Sequence, residues 1–136
     1  MSNENLKLRT KRFALDIIMF VERLPRDCTC DVIGRQLLRS GTSVGANYRA
    51  ACRAKSPADF ISKPGTVEEE ADESGFWMEM LMDSGKVKTG QIKSLIQETN
   101  ELPAIMVASI NTAKKSSGKA RLATVSIPHS ALRTPH

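Results

Sequence analysis

The chain has 136 residues, a length typical of one domain with a single hydrophobic core. Its net charge of +5 and isoelectric point near 9.3 make an acidic partner plausible, but a charge of this size alone does not indicate nucleic-acid binding. Aromatic residues are only 4% of the chain, and apolar residues recur every three or four positions, which excludes a typical β-sheet protein and predicts an all-α fold.

The cysteines and the first apolar stretch exclude several further classes. Three cysteines without a CxxC pair disfavour both a disulfide framework and a zinc site, so we expect reduced thiols and a cytoplasmic location. Asp16 and Glu22 interrupt the first apolar stretch, which is therefore too polar for a signal peptide or a membrane span. We expect no membrane partner.

The first predicted helix covers about residues 4–24 and ends at Pro25. One apolar strip has the spacing of a bundle seam, and a second strip lies well round the helical wheel. This wide apolar arc predicts burial on two sides, within the bundle and against another subunit. The seam comprises Leu6, Thr10, Phe13, Ile17, Phe20 and Leu24, and the second strip comprises Leu8, Leu15 and Met19.

The second predicted helix, about residues 32–54, has a sharply divided surface and Thr29 or Asp31 available as its N-cap. Apolar residues fall on one side of the wheel, and an arginine stripe falls on the other. Three glycines on a further strip remove side-chain bulk, so a neighbouring helix or subunit could approach closely there. The stripe consists of Arg35, Arg39, Arg49 and Arg53, and the glycines are Gly34, Gly41 and Gly45.

The third predicted helix covers about residues 57–84 and starts with the strong capping sequence Ser56-Pro57-Ala58-Asp59. We expect a kink or a break at Pro64-Gly65, because an interior proline removes a backbone donor. Its outward face is acidic between Glu68 and Asp83. Phe76 and Met80 lie among these acids, either as isolated exposed residues or as an oligomer contact.

The fourth predicted helix covers about residues 91–115, with a kink expected at Pro103. Short connections between four amphipathic helices favour an antiparallel up-down-up-down four-helix bundle over residues 1–117. The basic segment 118–136 contains no acid and has no helical period, so we expect a disordered tail.

Two sequence segments, QLLRSGTSVGANYRAACRAKSPADFISK and EEEADESGFWMEML, resemble the four-helix bundle family of 23S ribosomal RNA intervening-sequence proteins. The match covers roughly residues 13–115, and the run from Arg39 to Asn47 is its most specific part. Pro64-Gly65 and Pro103 depart from the family pattern.

The resemblance implies a bacterial, cytosolic bundle that assembles into a ring-like homopentamer. Such proteins are often encoded inside insertions of ribosomal RNA genes, and a related bundle is the accessory variability protein of diversity-generating retroelements. An RNA-associated role follows from this genetic context and from the basic surface of relatives. The family has no established catalytic residues.

The arginine stripe is the candidate nucleic-acid site, since Arg35, Arg39, Arg49 and Arg53 could contact successive phosphates. The alternative is that these arginines pair with acids of the third helix, within the subunit or across an interface, in a pure protein-interaction scaffold. Few aromatic residues lie nearby, so RNA binding would have low sequence specificity.

Catalysis is not expected. Both histidines, His129 and His136, lie in the predicted tail, which leaves none in the bundle for a triad, a proton relay or a metal site. The acids of the third helix lack the Glu-x-x-His pairs of bundle metal centres. We expect no cofactor, no metal and no small-molecule substrate.

Overall fold

The computed structural model describes the backbone of residues 3–53 and 57–124, and the side chains of residues 4–53, 66–106 and 108. Four helices follow one another along the chain: α1 (Asn3–Glu22), α2 (Cys28–Cys52), α3 (Pro57–Asp83) and α4 (Thr89–Thr124). Consecutive helices pack against each other, whereas α1 and α4 make far fewer contacts. The predicted all-α, antiparallel four-helix bundle is confirmed.

Helices α1 and α2 approach closely along the glycine strip. A Cβ atom added at Gly41 would lie 2.9 Å from the side chain of Ile17, and one at Gly45 would lie 3.3 Å from the backbone oxygen of Thr10. A Cβ at Gly34 would meet Leu24 at 3.2 Å. The predicted close approach is therefore confirmed, and the neighbour is α1 of the same chain.

The core follows the predicted helical periods. The predicted seam of α1 is buried from Leu6 to Ile17, while Phe20 and Leu24 are half-buried. Burial removes these apolar side chains from water, which is the main favourable contribution to folding. The fully buried large side chains from the other helices are Leu37, Val44, Tyr48, Val67, Met78, Leu81, Ile92, Leu102 and Met106.

The second apolar strip of α1 lies on the surface of the single chain. Leu8, Leu15 and Met19 are 66%, 42% and 46% exposed, and Phe76 and Met80 of α3 are 51% and 40% exposed. Burial of these residues against another subunit stays a prediction.

The start of α2 differs from the prediction. Asp27, and neither Thr29 nor Asp31, is the N-cap, because its side chain accepts a 2.7 Å hydrogen bond from the backbone N–H of Cys30. The other carboxylate oxygen of Asp27 accepts from Lys86 in the α3–α4 turn at 3.0 Å. Both contacts lower the pKa of Asp27, the Cys30 hydrogen bond most. Asp27 thus links the α1–α2 connection to the α3–α4 turn, and this link favours a start of α2 earlier than the predicted one.

Helix α3 runs unbroken from Pro57 to Asp83, so the break considered at Pro64-Gly65 does not occur. Helix α4 likewise continues through Pro103. The expected kinks stay predictions.

Helix α4 ends at Thr124, beyond the helix end predicted at about residue 115. Good helix formers at Lys119, Ala120, Arg121 and Leu122 account for the extension. The rest of the predicted tail, residues 125–136, lies outside the described residues.

The glycine contact predicts opposite effects of two alanine substitutions. Gly41→Ala should lower the free energy of unfolding by about 1–2 kcal/mol, since overpacking against buried Ile17 outweighs the gain of about 1 kcal/mol in helix propensity. Gly90→Ala is the matched control, because nothing lies within 4 Å of its Cβ position, and it should not destabilise. Urea unfolding measures both. Equal effects at the two positions would contradict the close packing.

Candidate nucleic-acid interface

The four arginines of the stripe have three different surroundings. Arg39 is the one that forms ion pairs within the described part of the chain: its guanidinium donates to Glu70 at 3.0 Å and to Glu73 of α3. These contacts raise the pKa of Arg39, the Glu73 hydrogen bond most. Arg39 thus shows the pairing with acids of the third helix that was the alternative prediction.

Glu73 is the centre of a small polar cluster that joins α2 to α3. Besides Arg39, its carboxylate accepts a 3.0 Å hydrogen bond from the indole N–H of Trp77. Both donors stabilise the charged form, so the pKa of Glu73 lies below its ordinary value, and the Trp77 hydrogen bond is the largest cause. The ring of Phe76 packs edge-on against Trp77 with centroids 5.0 Å apart. Trp77 therefore has contacts through both its N–H and its ring.

Arg35 lies in a groove between the C-terminal end of α1 and the N-terminal end of α2, which we call the mixed-charge groove. This groove has a volume of about 530 Å³, and its charged lining residues are Glu22, Arg26, Asp31 and Arg35. Two acids and two arginines balance each other, although Arg35 forms no ion pair within the described residues. The electrostatic attraction for a phosphate is correspondingly small.

Arg49 and Arg53 lie in a different groove between α1 and α2, which we call the basic groove. Its volume is about 540 Å³. Both arginines are exposed, and neither forms an ion pair with any described residue. The residues that line the basic groove are Glu4, Lys7, Leu8, Lys11, Ala14, Thr42, Gly45, Ala46, Arg49 and Arg53.

The α1 side of the basic groove was missed by reasoning from the sequence. Lys7 and Lys11 lie in the opening stretch of α1 and were not assigned to the candidate site. The register of Gly45 against Thr10 and Lys11 brings this stretch beside Arg49, and that register depends on three-dimensional packing. A basic pair at i and i+4 on the facing helix was the one signal available.

Other basic residues of α1 have partners. Arg9 donates to Glu98 at 2.7 and 2.8 Å and to Glu101 at 2.6 Å, which ties α1 to α4. These hydrogen bonds raise the pKa of Arg9, that to Glu98 most, and Arg9 in turn lowers the pKa of Glu101. Arg12 pairs with Asp16 at 3.3 Å. Arg9 and Arg12 are therefore poorer candidates for phosphate binding than Lys11.

The described residues offer little chemistry beyond charge. Tyr48 is fully buried, and burial raises the pKa of its hydroxyl. No group of three or more metal-ligating side chains occurs among the residues described, and His129 and His136 lie outside them. Within the same ranges, no helix has the length and apolar character needed to cross a membrane.

Fold and surface together define a small, basic, all-α bundle protein. The model of the family described as 23S rRNA-intervening sequence protein matches residues 5–108. The chain belongs to this family.

A solved structure supports the fold independently. The chain is similar to a protein of unknown function from the S23 ribosomal protein family of Bacteroides thetaiotaomicron VPI-5482. The two share 32% identity and superpose with a TM-score of 0.76, over 82% of this chain and 99% of the other. No curated protein matches this chain.

The Glu73 cluster predicts an acid titration that Trp77, the one tryptophan of the chain, reports by fluorescence. The midpoint should lie below the ordinary pKa of a glutamate carboxyl. A carboxyl group whose pKa is lowered in the folded state stabilises the fold at pH values above its ordinary pKa. This stabilisation should be lost as the pH falls through the lowered pKa of Glu73. Arg39→Gln should raise the midpoint.

Arg12→Gln is the control, since it removes a cation that pairs with Asp16 on α1. It should leave the midpoint unchanged. An Arg39→Gln midpoint equal to that of the wild type would show that the ion pair does not act on Glu73.

Proposed function

We propose that the protein is a non-enzymatic, homo-oligomeric bundle of the cytosol that binds structured RNA through its basic surface. The observation that carries this proposal is the exposure of Arg49 and Arg53 with no ion-pair partner among the described residues. Unpaired, exposed guanidinium groups are available to phosphates without the breaking of an existing ion pair. The family description, which refers to 23S rRNA, points to RNA as the nucleic acid.

Three of the four predicted arginines keep a role in this proposal. Arg35, Arg49 and Arg53 are exposed, and no described carboxylate pairs with them. Arg39 is half-exposed but holds two glutamates of α3, so an approaching phosphate would compete with them. Phosphate contacts should therefore come chiefly from Arg49 and Arg53, with a smaller contribution from Arg35, since two acids line its groove.

The mode of binding follows from the side chains available. Tyr48 is buried, and Trp77 is half-buried with its indole N–H bonded to Glu73 and its ring packed against Phe76, so neither is well placed for base stacking. Arginine and lysine contacts to the backbone carry no sequence information. The protein should recognise the phosphates and shape of paired RNA with low sequence specificity.

The proposal of a non-enzymatic role rests on what the described residues present. The acids of α3 are spread along a solvent-facing surface: Glu69, Asp72, Glu79 and Asp83 are all exposed. Dispersed, hydrated carboxylates lack the desolvation that tunes a catalytic group. Free Cys28, Cys30 and Cys52 accord with a reducing compartment.

RNA binding can be tested by a salt titration with a base-paired ribosomal RNA fragment and with duplex DNA of equal length. Affinity for the RNA should fall steeply with salt, by about 0.7–0.9 logarithmic units per logarithmic unit of salt for each neutralised phosphate. The RNA should bind more tightly than the DNA. Fluorescence anisotropy on protein of known solution mass provides the measurement. No binding even at low salt would reject the RNA role.

An assembly scaffold without nucleic acid is the second candidate, favoured by the apolar residues on the acidic face of α3. Phe76 and Met80 are large, exposed and surrounded by carboxylates. Apolar side chains ringed by charge are typical of a protein contact. We propose that they contribute to self-association, and the homopentamer follows from the family resemblance alone.

Self-association can be tested on the double variant Phe76→Ser/Met80→Ser. The wild type should have a solution mass several times the 14.9 kDa of one chain, and the variant should have a smaller mass at equal concentration. Val32→Ser is the control, because Val32 is 49% exposed on α2. Light scattering measures the mass. An assembly of unchanged mass would show that these two residues face solvent.

Charge reversal at Arg49 distinguishes the RNA-binding role from the scaffold role better than charge reversal at Arg39 does. Arg39→Glu would place a third carboxylate beside Glu70 and Glu73, and so would destabilise the subunit itself. Arg49→Glu breaks no ion pair between described residues. Loss of RNA binding with an intact assembly favours the RNA role, and a split assembly favours the scaffold.

A further inference from the structure

We infer that the basic groove, with Lys7 and Lys11 of α1 facing Arg49 of α2 and its C-cap Arg53, is the site that binds the phosphate backbone of base-paired RNA. This inference rests on the proposed RNA role and deepens it, because it replaces a stripe on one helix by a groove between two helices. It also assigns a binding role to two lysines of α1.

Charge distinguishes the basic groove from its neighbour. Its lining carries four cationic side chains and one carboxylate, that of Glu4. Lys7 pairs with Glu4 at 3.2 Å, but Lys11, Arg49 and Arg53 have no ion pair with described residues. The mixed-charge groove has nearly the same volume and balanced charge. A concave surface of one sign concentrates the field that attracts an anion, whereas balanced charges cancel.

The spacing of the cations suits a polyanion. Lys7 and Lys11 are four residues apart on α1, and Arg49 in the last turn of α2 is four residues before Arg53, the C-cap of that helix. Four residues of helix rise about 6 Å, so each pair forms a short row along its own helix. Two facing rows can contact several phosphates at once, which a single point charge cannot do.

The glycine contact holds the two rows together. The Cβ position of Gly45 is 3.3 Å from the backbone oxygen of Thr10 and 3.6 Å from the backbone nitrogen of Lys11. Lys11 therefore begins directly across from Gly45, one helical turn from Arg49. A larger residue at position 45 would separate the helices that carry the two rows.

The other residues that line the basic groove limit the kinds of contact it can make with RNA. None of the described residues that line it is aromatic, and exposed Leu8 offers only an apolar contact. Base stacking and base-edge hydrogen bonding are therefore poorly supported. The surroundings suit a paired backbone whose bases remain stacked inside the helix.

The test compares two double variants that remove two positive charges each. Lys11→Gln/Arg49→Gln changes both rows of the basic groove, and Arg23→Gln/Arg26→Gln removes two charges at the opposite end of the bundle, where Arg26 lines the mixed-charge groove. All four side chains are exposed, so both proteins should fold, and circular dichroism checks this. The probe is a fully base-paired RNA hairpin, titrated between about 50 and 200 mM salt.

The basic-groove variant should bind the hairpin about 10-fold or more weakly at the upper salt concentration, and its salt slope should be shallower by about 2. The control variant should stay close to the wild type. Equal losses in both variants would overturn the inference, since net charge alone would then explain them. A basic-groove variant that loses assembly mass but keeps RNA affinity would also overturn it.

A second pair of variants adds charge instead of removing it. Ala46→Glu places a carboxylate in the basic groove, and Gln36→Glu places one on α2 outside it. Only Ala46→Glu should weaken hairpin binding. If the wild type itself binds no RNA, the proposed function fails. If the wild type binds and Ala46→Glu binds as tightly, the function stands and the groove assignment fails.

Discussion

The contact between α1 and α2 at Gly41 and Gly45 is the constraint on which the rest of the structure depends. Without side chains at these positions, the backbone of α2 reaches Ile17 and Thr10. Glycine inside a helix costs about 1 kcal/mol relative to alanine, so the packing must offset this cost twice. The gain is a fixed register between the helices. That register buries the apolar seam of α1 and brings its lysines beside the C-terminal arginines of α2.

The α2–α3 contact has a polar character that explains why the arginine stripe is divided. Buried Ser74 donates to buried Ser40 at 2.9 Å, and half-exposed Arg39 lies one residue before Ser40, against Glu70 and Glu73. Mostly exposed ion pairs contribute little individually, but this one is joined to the Trp77 hydrogen bond in a network. Arg39 therefore contributes to the packing of α2 on α3, while Arg49 and Arg53 form no ion pair with a described residue.

Much of the fold could be predicted from helical periodicity, because the core positions of α1 and α3 repeat at the spacing that a buried helix face requires. The start of α2 could not be predicted in this way, because its N-cap Asp27 also accepts a hydrogen bond from Lys86, which lies far along the chain. The continuity of α3 through Pro64-Gly65 was not predicted either. For the candidate site, the helical wheel placed four arginines on one face but treated them as equivalent. Their differences arise from residues on α1 and α3, which no single-helix pattern contains.

The separation of charge across the bundle links the two proposed activities. The basic groove lies between α1 and α2, whereas Phe76, Met80 and their neighbouring acids lie on α3. Self-association through the α3 surface would leave the groove open, so each subunit would add its own short rows of cations to the assembly. A few phosphate contacts per subunit bind weakly and lose affinity with salt. Several grooves held in one assembly would bind one folded RNA far more tightly without any new contact, provided that their spacing lets them engage it together.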